Sequence, residues 1–270
     1  MKEFFVLKEP NLKIEYIYTE NPLQEDFSMH MHEHLELYYF VSGYGTYVVE
    51  GSEYKLEPGD IILLNSGEGH YFRIDKMAPY KRLYIQFDKA LFADFDEAQS
   101  LLAPFQNREN GQHNLYRKDD FDSSLFSILM NHLLTNVQNK KLQTISYLLP
   151  LLYEISEIFE GREQAPNSNS LSQDIVRYIN QNFLEEINLD FLCQKFSISK
   201  THLCRIFKNA TGATINNYIT TKKLIYANSL MNIGYTPTQA AGMSGFNDYT
   251  VFYKAYKKRY DVSPSAAKKA

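Results

Sequence analysis

Little in this chain could staple it covalently or carry it into a membrane. Its 270 residues include two cysteines. Cys193 and Cys204 form no CxxC pair, so no disulfide framework is available and a reduced, cytoplasmic protein is expected. No run of about 18 apolar residues could span a bilayer, and residues 1–13 are too polar for a secretory signal. The net charge of −4 shows no strong bias, but it conceals an asymmetry. Residues 171–270 carry 13 Lys and Arg against 6 Asp and Glu, whereas residues 1–170 carry 15 against 26. A basic phosphate-binding module behind an acidic regulatory partner is the organisation this suggests. At this length two or three domains are expected, each with ample core.

The tail says nearly the same thing twice. Residues 188–208 and 237–257 share an order of short helix, tight turn and second helix with a basic residue midway. Small Cys193 and Ala241 each precede the turn residues Ser197 and Gly245 by four positions, as two helices crossing closely at a short turn require. The spacing predicts two helix-turn-helix units, each offering a recognition helix to a DNA major groove. In the first recognition helix one face carries Thr201, Cys204, Arg205 and Lys208, with Leu203, Ile206 and Phe207 inward. Arg205 is the candidate for base readout, because its planar fork can take guanine O6 and N7 together. In the second helix the matching face is Tyr249, Thr250, Tyr253 and Lys254, with Phe252 and Tyr256 inward. Ser199, Asn247 and the helix N-termini are expected to hold phosphates, assisted by Lys200, Lys257 and Lys258. A linking helix over residues 215–231, with Tyr218, Leu224, Ala227 and Leu230 as its core stripe, should set the two recognition helices about 34 Å apart on one face of the duplex.

The last hundred residues resemble the DNA-binding domain of the AraC/XylS family of bacterial transcription regulators. The resemblance is carried by residues 175–183, the first helix pair through Lys208, Thr211-Gly212, Ala227, Gly245-Phe246 and Val262-Ser263-Pro264. Departures are Ser197 and Asp261 where the family favours Gly, Lys254 where Arg is common, and Ala267-Lys268 where Tyr-Arg often follows. They leave the base preference of the second unit open, not its fold. The resemblance implies double-stranded DNA as partner, a homodimer, activation through RNA polymerase and a small-molecule effector.

The front half has a different grammar. Between residues 29 and 87 six short aromatic or β-branched runs are punctuated by Gly and Pro, notably Pro58-Gly59-Asp60 and Ser66-Gly67-Glu68-Gly69. Strands spaced this closely predict a small jelly-roll barrel. Together with His30, His32, Glu36, Gly43 and His70, they resemble a cupin, the sensor barrel of many AraC-type regulators, over residues 28–90. In metal-dependent cupins such a set of three His and one Glu converges on a divalent ion. Here His30, His32, Glu36 and His70 have three readings: a metal set, part of a ligand pocket, or a structural polar cluster. Period-two geometry puts Glu36, Tyr38 and Phe40 on one face of their strand and Arg82, Tyr84 and Gln86 on one face of another. Aromatic rings with a few directed donors suit a small polyhydroxyl compound, so His32, Glu36, Tyr38, His70, Arg82 and Tyr84 are the ligand-binding candidates; a solvent-washed outward face is the alternative. Sugar-type effectors are what the resemblance implies.

Residues 91–105 are expected to be helical and residues 106–114 a polar loop. Two helical patterns follow, with stripes at Leu125, Leu129, Leu133 and Val137 and at Ile145, Leu149, Leu152, Ile155 and Phe159; the second is expected to pair with its copy in a dimer and to kink at Pro150. Residues 161–170 read as a flexible linker. The expected fold class is α+β in two domains: residues 1–160 form a cupin (jelly-roll) β-barrel, over about residues 12–90, with a helical hairpin over 91–160, and residues 171–270 an all-α domain with two helix-turn-helix units. A sequence-specific DNA-binding regulator is the expectation, with no catalytic residue, cofactor or membrane contact. A metal-dependent cupin enzyme fused to a DNA-binding tail, an isomerase or dioxygenase, and a ligand-free regulator controlled by a protein partner are the alternatives.

Overall fold

The computed structural model describes residues 2–9, 11–96, 98–135, 141–162 and 170–267. The chain divides into two compact units, one formed by residues 1–28 and 34–167, the other by residues 29–33 and 168–270.

The first unit is built on two antiparallel sheets. Its strands are β1 (Lys2–Glu9), β2 (Leu12–Thr19), β3 (Leu35–Ser42), β4 (Gly45–Val49), β5 (Ser52–Lys55), β6 (Ile61–Leu64), β7 (His70–Ile74), β8 (Tyr80–Phe87) and the short β9 (Leu115–Tyr116). One sheet has the order β1-β2-β8-β3-β6-β9 and the other β5-β4-β7. β1 pairs with β2 from Lys2 opposite Tyr18 to Glu9 opposite Leu12, with one register shift between Glu3 and Phe5. Successive side chains of a strand leave on opposite faces, and the large sheet buries both. Tyr38, Phe40, Ile62, Leu64 and Tyr80 from its inner face pack with Tyr47, Val49 and Phe72 from the small sheet. Leu35, Leu37, Leu63, Leu83, Ile85 and Phe87 from its outer face pack against helices. Those helices are α1 (Ala98–Gln106), α2 (Ser123–Leu134) and α3 (Lys141–Glu160). A 3-10 turn, Lys89–Phe92, occupies the start of the segment expected to be one helix.

The stripe expected on α2 is rotated. Phe126, Leu129, Met130 and Leu133 face inward, whereas Leu125 is 40% exposed. The ring of Phe126 takes the inner position because it stacks on Phe121 at 4.5 Å and meets Tyr39 at 6.2 Å; Val137 lies outside the described residues. On α3, which runs through Pro150, the buried positions include Leu148, Leu151, Leu152 and Ile155, with Ile145 and Leu149 partly covered. Most of the expected linker, residues 163–169, also lies outside the described residues.

One ion pair pins the loop that follows α1. Glu68, in the β6–β7 turn, and Arg108 are both sealed from solvent, with Nη1–Oε1 at 2.6 Å and Nη2–Oε2 at 2.7 Å. The backbone N–H groups of Asn65 and Gly111 also donate to Glu68. Arg108 spends its remaining donors on the carbonyls of Pro104 and Leu63. The polar loop read from the sequence is thus clamped to the sheet by a fully hydrogen-bonded buried pair.

The second unit contains α4 (Leu171–Asn182), α5 (Leu189–Phe196), α6 (Lys200–Thr211), α7 (Ile215–Asn232), α8 (Pro237–Met243), α9 (Tyr249–Tyr260) and α10 (Pro264–Ala267). Pairs α5–α6 and α8–α9 are the two helix-turn-helix units, each with its own core. Leu192, Leu203 and Phe207 pack with Ile175 and Ile179 in the first; Ala240, Ala241, Phe252 and Tyr256 form the second. The helix α7 serves both, giving Ile215, Tyr218 and Ile225 to one and Leu224, Ala227 and Leu230 to the other. The segment 29–33 belongs to this unit: Met31 is buried in the first core, its carbonyl accepts from Arg259 at 2.8 Å, and Tyr260 donates to Glu33.

The clamp makes a measurable demand. Removing one partner of a buried pair leaves an uncompensated charge, so Arg108→Ala should destabilise the protein by about 3–5 kcal/mol in urea unfolding followed by circular dichroism. Burial pushes the Glu68 carboxyl up, but Arg108 overrules it and holds the group below its ordinary 4.5. A lowered carboxyl stabilises the fold above its unfolded value and loses that contribution as pH falls through the folded one. In the variant the Asn65 and Gly111 N–H groups still oppose burial but the guanidinium no longer does. Glu68 therefore protonates at higher pH than in the intact pair, and the deficit should shrink as pH falls from about 7 to about 4. A deficit that stays constant would contradict this.

Candidate DNA interface and effector site

Each recognition helix begins on a side-chain cap that sets its direction. In the first unit Asn188 caps α5 by accepting from the Phe191 N–H at 2.7 Å. The chain then turns through Ser197 in the left-handed region, φ 54°, and Ser199 caps α6 by accepting from the His202 N–H at 3.3 Å. A non-glycine residue in that conformation is uncommon. Here the turn is held by the Ile198 N–H, which donates to the Cys193 carbonyl at 3.0 Å.

Helical spacing then divides α6. Leu203 and Phe207 are buried and Ile206 is half-buried, leaving Thr201, Cys204, Arg205 and Lys208 exposed along one side, with Lys200 at its start. The helix α9 repeats the division. Phe252 and Tyr256 are buried, and Tyr249, Thr250, Tyr253, Lys254, Lys257 and Lys258 are exposed. The rings of Tyr249 and Tyr253 lie 6.5 Å apart.

The start of α9 differs from that of α6. Asp248 is its cap, and its carboxylate accepts from the N–H groups of Thr250 and Val251. Those bonds hold the Asp248 carboxyl below its ordinary range. The exposed Asn247 therefore stands beside a helix N-terminus that a carboxylate already occupies, while α6 opens on the neutral Ser199. Two further cations have structural partners. Lys223 donates to the Gly245 carbonyl at 2.8 Å, and burial pulls its pKa down; Arg259 is taken by Met31.

In the sheet-rich unit the register of the large sheet brings the polar inner residues into rows. Glu36 stands opposite Gln86, Tyr38 opposite Tyr84, and Phe40 opposite Arg82 on β3 and β8. On the other side of β8, Lys13, Glu15 and Ile17 of β2 stand opposite Gln86, Tyr84 and Arg82. Glu36 is buried and accepts from Gln86 Nε2 at 2.7 Å. Tyr84 donates to Glu15 and accepts from Lys13 Nζ at 2.8 Å, and Lys13 pairs with Glu15 at 2.9 Å. Burial pushes the Glu15 carboxyl up, but Tyr84 and Lys13 leave it lowered overall. Burial also drives the Tyr38 and Tyr47 hydroxyls well up, so both stay protonated. The hydroxyls of Tyr38 and Tyr80 hydrogen-bond each other.

His70, on the small sheet, is fully buried, and its ring stacks on Tyr47 at 6.0 Å. Its Nδ1 lies 2.8 Å from the Glu68 carbonyl. A carbonyl can only accept, so Nδ1 carries a proton. Arg82 has the rings of Phe27, Tyr80 and Tyr84 at 5.5, 5.7 and 5.8 Å from its guanidinium carbon. Burial works against its charge, and the neutral Tyr80 hydroxyl is hydrogen-bonded to it. The residue keeps some exposure, whereas its Nε is sealed and has no hydrogen-bond partner.

The candidates Glu36, Tyr38, His70, Arg82 and Tyr84 thus lie in one sheet-rich unit, with Glu36, Tyr38, Arg82 and Tyr84 on the inner face of its large sheet. His30 and His32 do not belong to it; they lie in the segment 29–33 of the helical unit. Of the four residues in the metal set, the sheet-rich unit by itself supplies Glu36 and His70. Glu15, Tyr47 and Tyr80 were missed, although alternation over residues 12–18 marks Glu15 as facing away from Ile14 and Tyr16. Among the described residues no helix is long and apolar enough to cross a membrane.

Comparison with known proteins agrees with both halves. Residues 12–137 match the family model for the AraC-like ligand binding domain, and residues 192–270 match a helix-turn-helix domain. The HTH-type transcriptional activator RhaS of Mannheimia succiniciproducens is 26% identical, over 97% of this chain and 96% of that protein. The raffinose operon transcriptional regulatory protein RafR of Pediococcus pentosaceus is 24% identical over 94% and 89%. The lactose operon transcription activator of Staphylococcus xylosus is 23% identical over 85% and 81%. A match to the AraC-like ligand binding domain ahead of a match to a helix-turn-helix domain, with a transcriptional activator similar over nearly the whole of both chains, places this chain in the AraC/XylS family of transcription regulators.

Proposed function

We propose that this protein is a cytoplasmic, sequence-specific transcriptional activator, without enzymatic activity, that responds to a sugar or a related metabolite bound inside its sheet-rich unit. The observation that carries the DNA-binding part is the repeated outward face: Thr201, Cys204, Arg205 and Lys208 on α6 and Tyr249, Thr250, Tyr253 and Lys254 on α9, joined by one helix with a stake in both cores. Arg205 reads a base, Thr201 and Cys204 are short enough to touch a thymine methyl, and Ser199, Lys200, Asn247, Lys257 and Lys258 hold phosphates. Each protomer covers two short boxes in successive major grooves.

The sugar reading is supported by two relatives whose names refer to lactose and raffinose operons, and by an inner face that mixes tyrosines with a few directed polar groups. Glu36, Tyr38, His70, Arg82 and Tyr84 are its ligand-binding set. The effector acts by shifting the populations of DNA-binding arrangements, for which a few kcal/mol suffice. A homodimer joined through the second long helix, where Leu142 and Tyr153 are exposed, would set two such sites together, and contact with RNA polymerase would complete activation.

Two measurements check this. In binding assays on a promoter fragment and its single-base variants, Arg205→Ala should lose about 1–3 kcal/mol of discrimination at one box. Lys257→Ala should weaken all duplexes alike and reduce the salt slope by about one. Equal loss on specific and scrambled DNA for Arg205→Ala would remove its reading role. For the sensor, a thermal-shift screen of sugars should find a stabilising compound that alters the promoter footprint. A hit that stabilises the protein but leaves the footprint unchanged would break the link between the two halves.

A further inference from the structure

The sheet-rich unit contains five arginines, Arg73, Arg82, Arg108, Arg117 and Arg162. Four of them face a carboxylate: Arg73 pairs with Glu53, Arg108 with Glu68, Arg117 with Asp60 and Arg162 with Asp120. Arg82 has no such partner among the described residues, yet it is the one that lies on the inner face of the large sheet, beneath three aromatic rings. Ring faces attract a cation but accept no directed bond from most of its five N–H groups. Its Nε is sealed from water without an acceptor. A charged group taken out of water without a counter-ion is costly, and such a site persists where something else completes it.

The neighbouring groups supply no counter-ion. Burial keeps the hydroxyls of Tyr38, Tyr47 and Tyr80 protonated, so Tyr80, which is hydrogen-bonded to both Tyr38 and Arg82, brings a neutral acceptor and no counter-charge. Glu15 is held by Lys13 and Tyr84. Glu36 accepts from Gln86, four residues along β8 from Arg82, which is about 13 Å of strand. The inner face is therefore graded, with acceptors at the Glu36 end and, at the Arg82 end, a cation without a carboxylate partner whose Nε has no acceptor.

We propose that the effector is an acidic sugar, a polyhydroxyl compound bearing a carboxylate or a phosphate, and that Arg82 binds its anionic group. This rests on the sheet-rich unit being the sensor and narrows the class of compound it senses. The hydroxyls of the ligand face the acceptors Glu36 and Glu15, and its anionic oxygens take the side-on pair of donors that a guanidinium offers through Nε and one Nη.

The test is isothermal titration of the full chain with three compounds that share one ring: galactose, galacturonate and galactose 6-phosphate. At least one anionic compound should bind about tenfold or more tightly than galactose, as one charge-assisted contact allows; which of the two does so separates carboxylate from phosphate. Arg82→Gln should abolish that advantage, read as the ratio of anionic to galactose affinity within the variant. Should that variant fail to fold, Arg82→Lys reads the same ratio: it keeps the charge but lacks the fork, so the advantage of the anionic compound over galactose should shrink severalfold. Galactose binding as tightly as either acid, or an advantage that survives in both variants, overturns the proposal while leaving a sugar sensor in place. No binding by any of the three removes the sugar-sensor reading itself.

Discussion

Alternation along a strand is the constraint on which the front half depends. A residue on β3 or β8 can face the interior between the sheets or the helices outside, and its neighbour must do the opposite. Along β8 this sends Leu83, Ile85 and Phe87 into the core shared with α1, α2 and α3. It leaves Arg82, Tyr84 and Gln86 on the inner face, in register with Phe40, Tyr38 and Glu36 of β3. Polar groups at the heart of a domain are costly unless they are paired, and most of these are. The small sheet adds Tyr47 and His70, and the Glu68 turn that orients His70 is itself anchored by Arg108. The groups of the candidate effector site thus depend on a loop clamp outside that inner face.

The helical half depends on sharing. Neither helix-turn-helix unit is long enough to bury much on its own, and α7 supplies side chains to both cores. A helix is stiff over its length, so this couples the directions in which α6 and α9 present their outward faces. The two turns solve one problem differently. Ser197 and Gly245 both have positive φ. A Cβ at Gly245 would run into the Leu184 carbonyl, and Lys223 is bonded to the Gly245 carbonyl itself. The first turn makes room for a serine; the second does not.

Much of this was legible in the sequence, for reasons that can be named. The repeat in residues 188–208 and 237–257 was visible because helix crossing demands small residues at fixed offsets, and the short strands were visible because Gly and Pro mark their ends. The inward and outward faces of α6 and α9 follow from helical period alone. Other features were not legible. Leu125 fits the apolar stripe of α2, but Phe126 wins the inner position through ring contacts with residues far away in sequence. Asp248 caps α9 at the position that Ser199 holds before α6, and its carboxylate takes the N–H groups beside which Asn247 was expected to hold a phosphate. Arg108 and Glu68 stand forty positions apart with nothing in either neighbourhood to announce the other, and the grouping of Met29–Glu33 with the helices interrupts a run that reads as the start of a barrel.

By itself the sequence determined the class of each half, the existence of both helix pairs and the face on which each outward residue lies, because these follow from backbone periods and turn chemistry that act over a few residues. Which charges find partners was decided only by the tertiary structure. Arg108 and Arg82 look alike as letters; one meets a carboxylate and the other a ring of aromatic side chains, since pairing depends on strand register and loop closure, which bring together groups that no local rule connects.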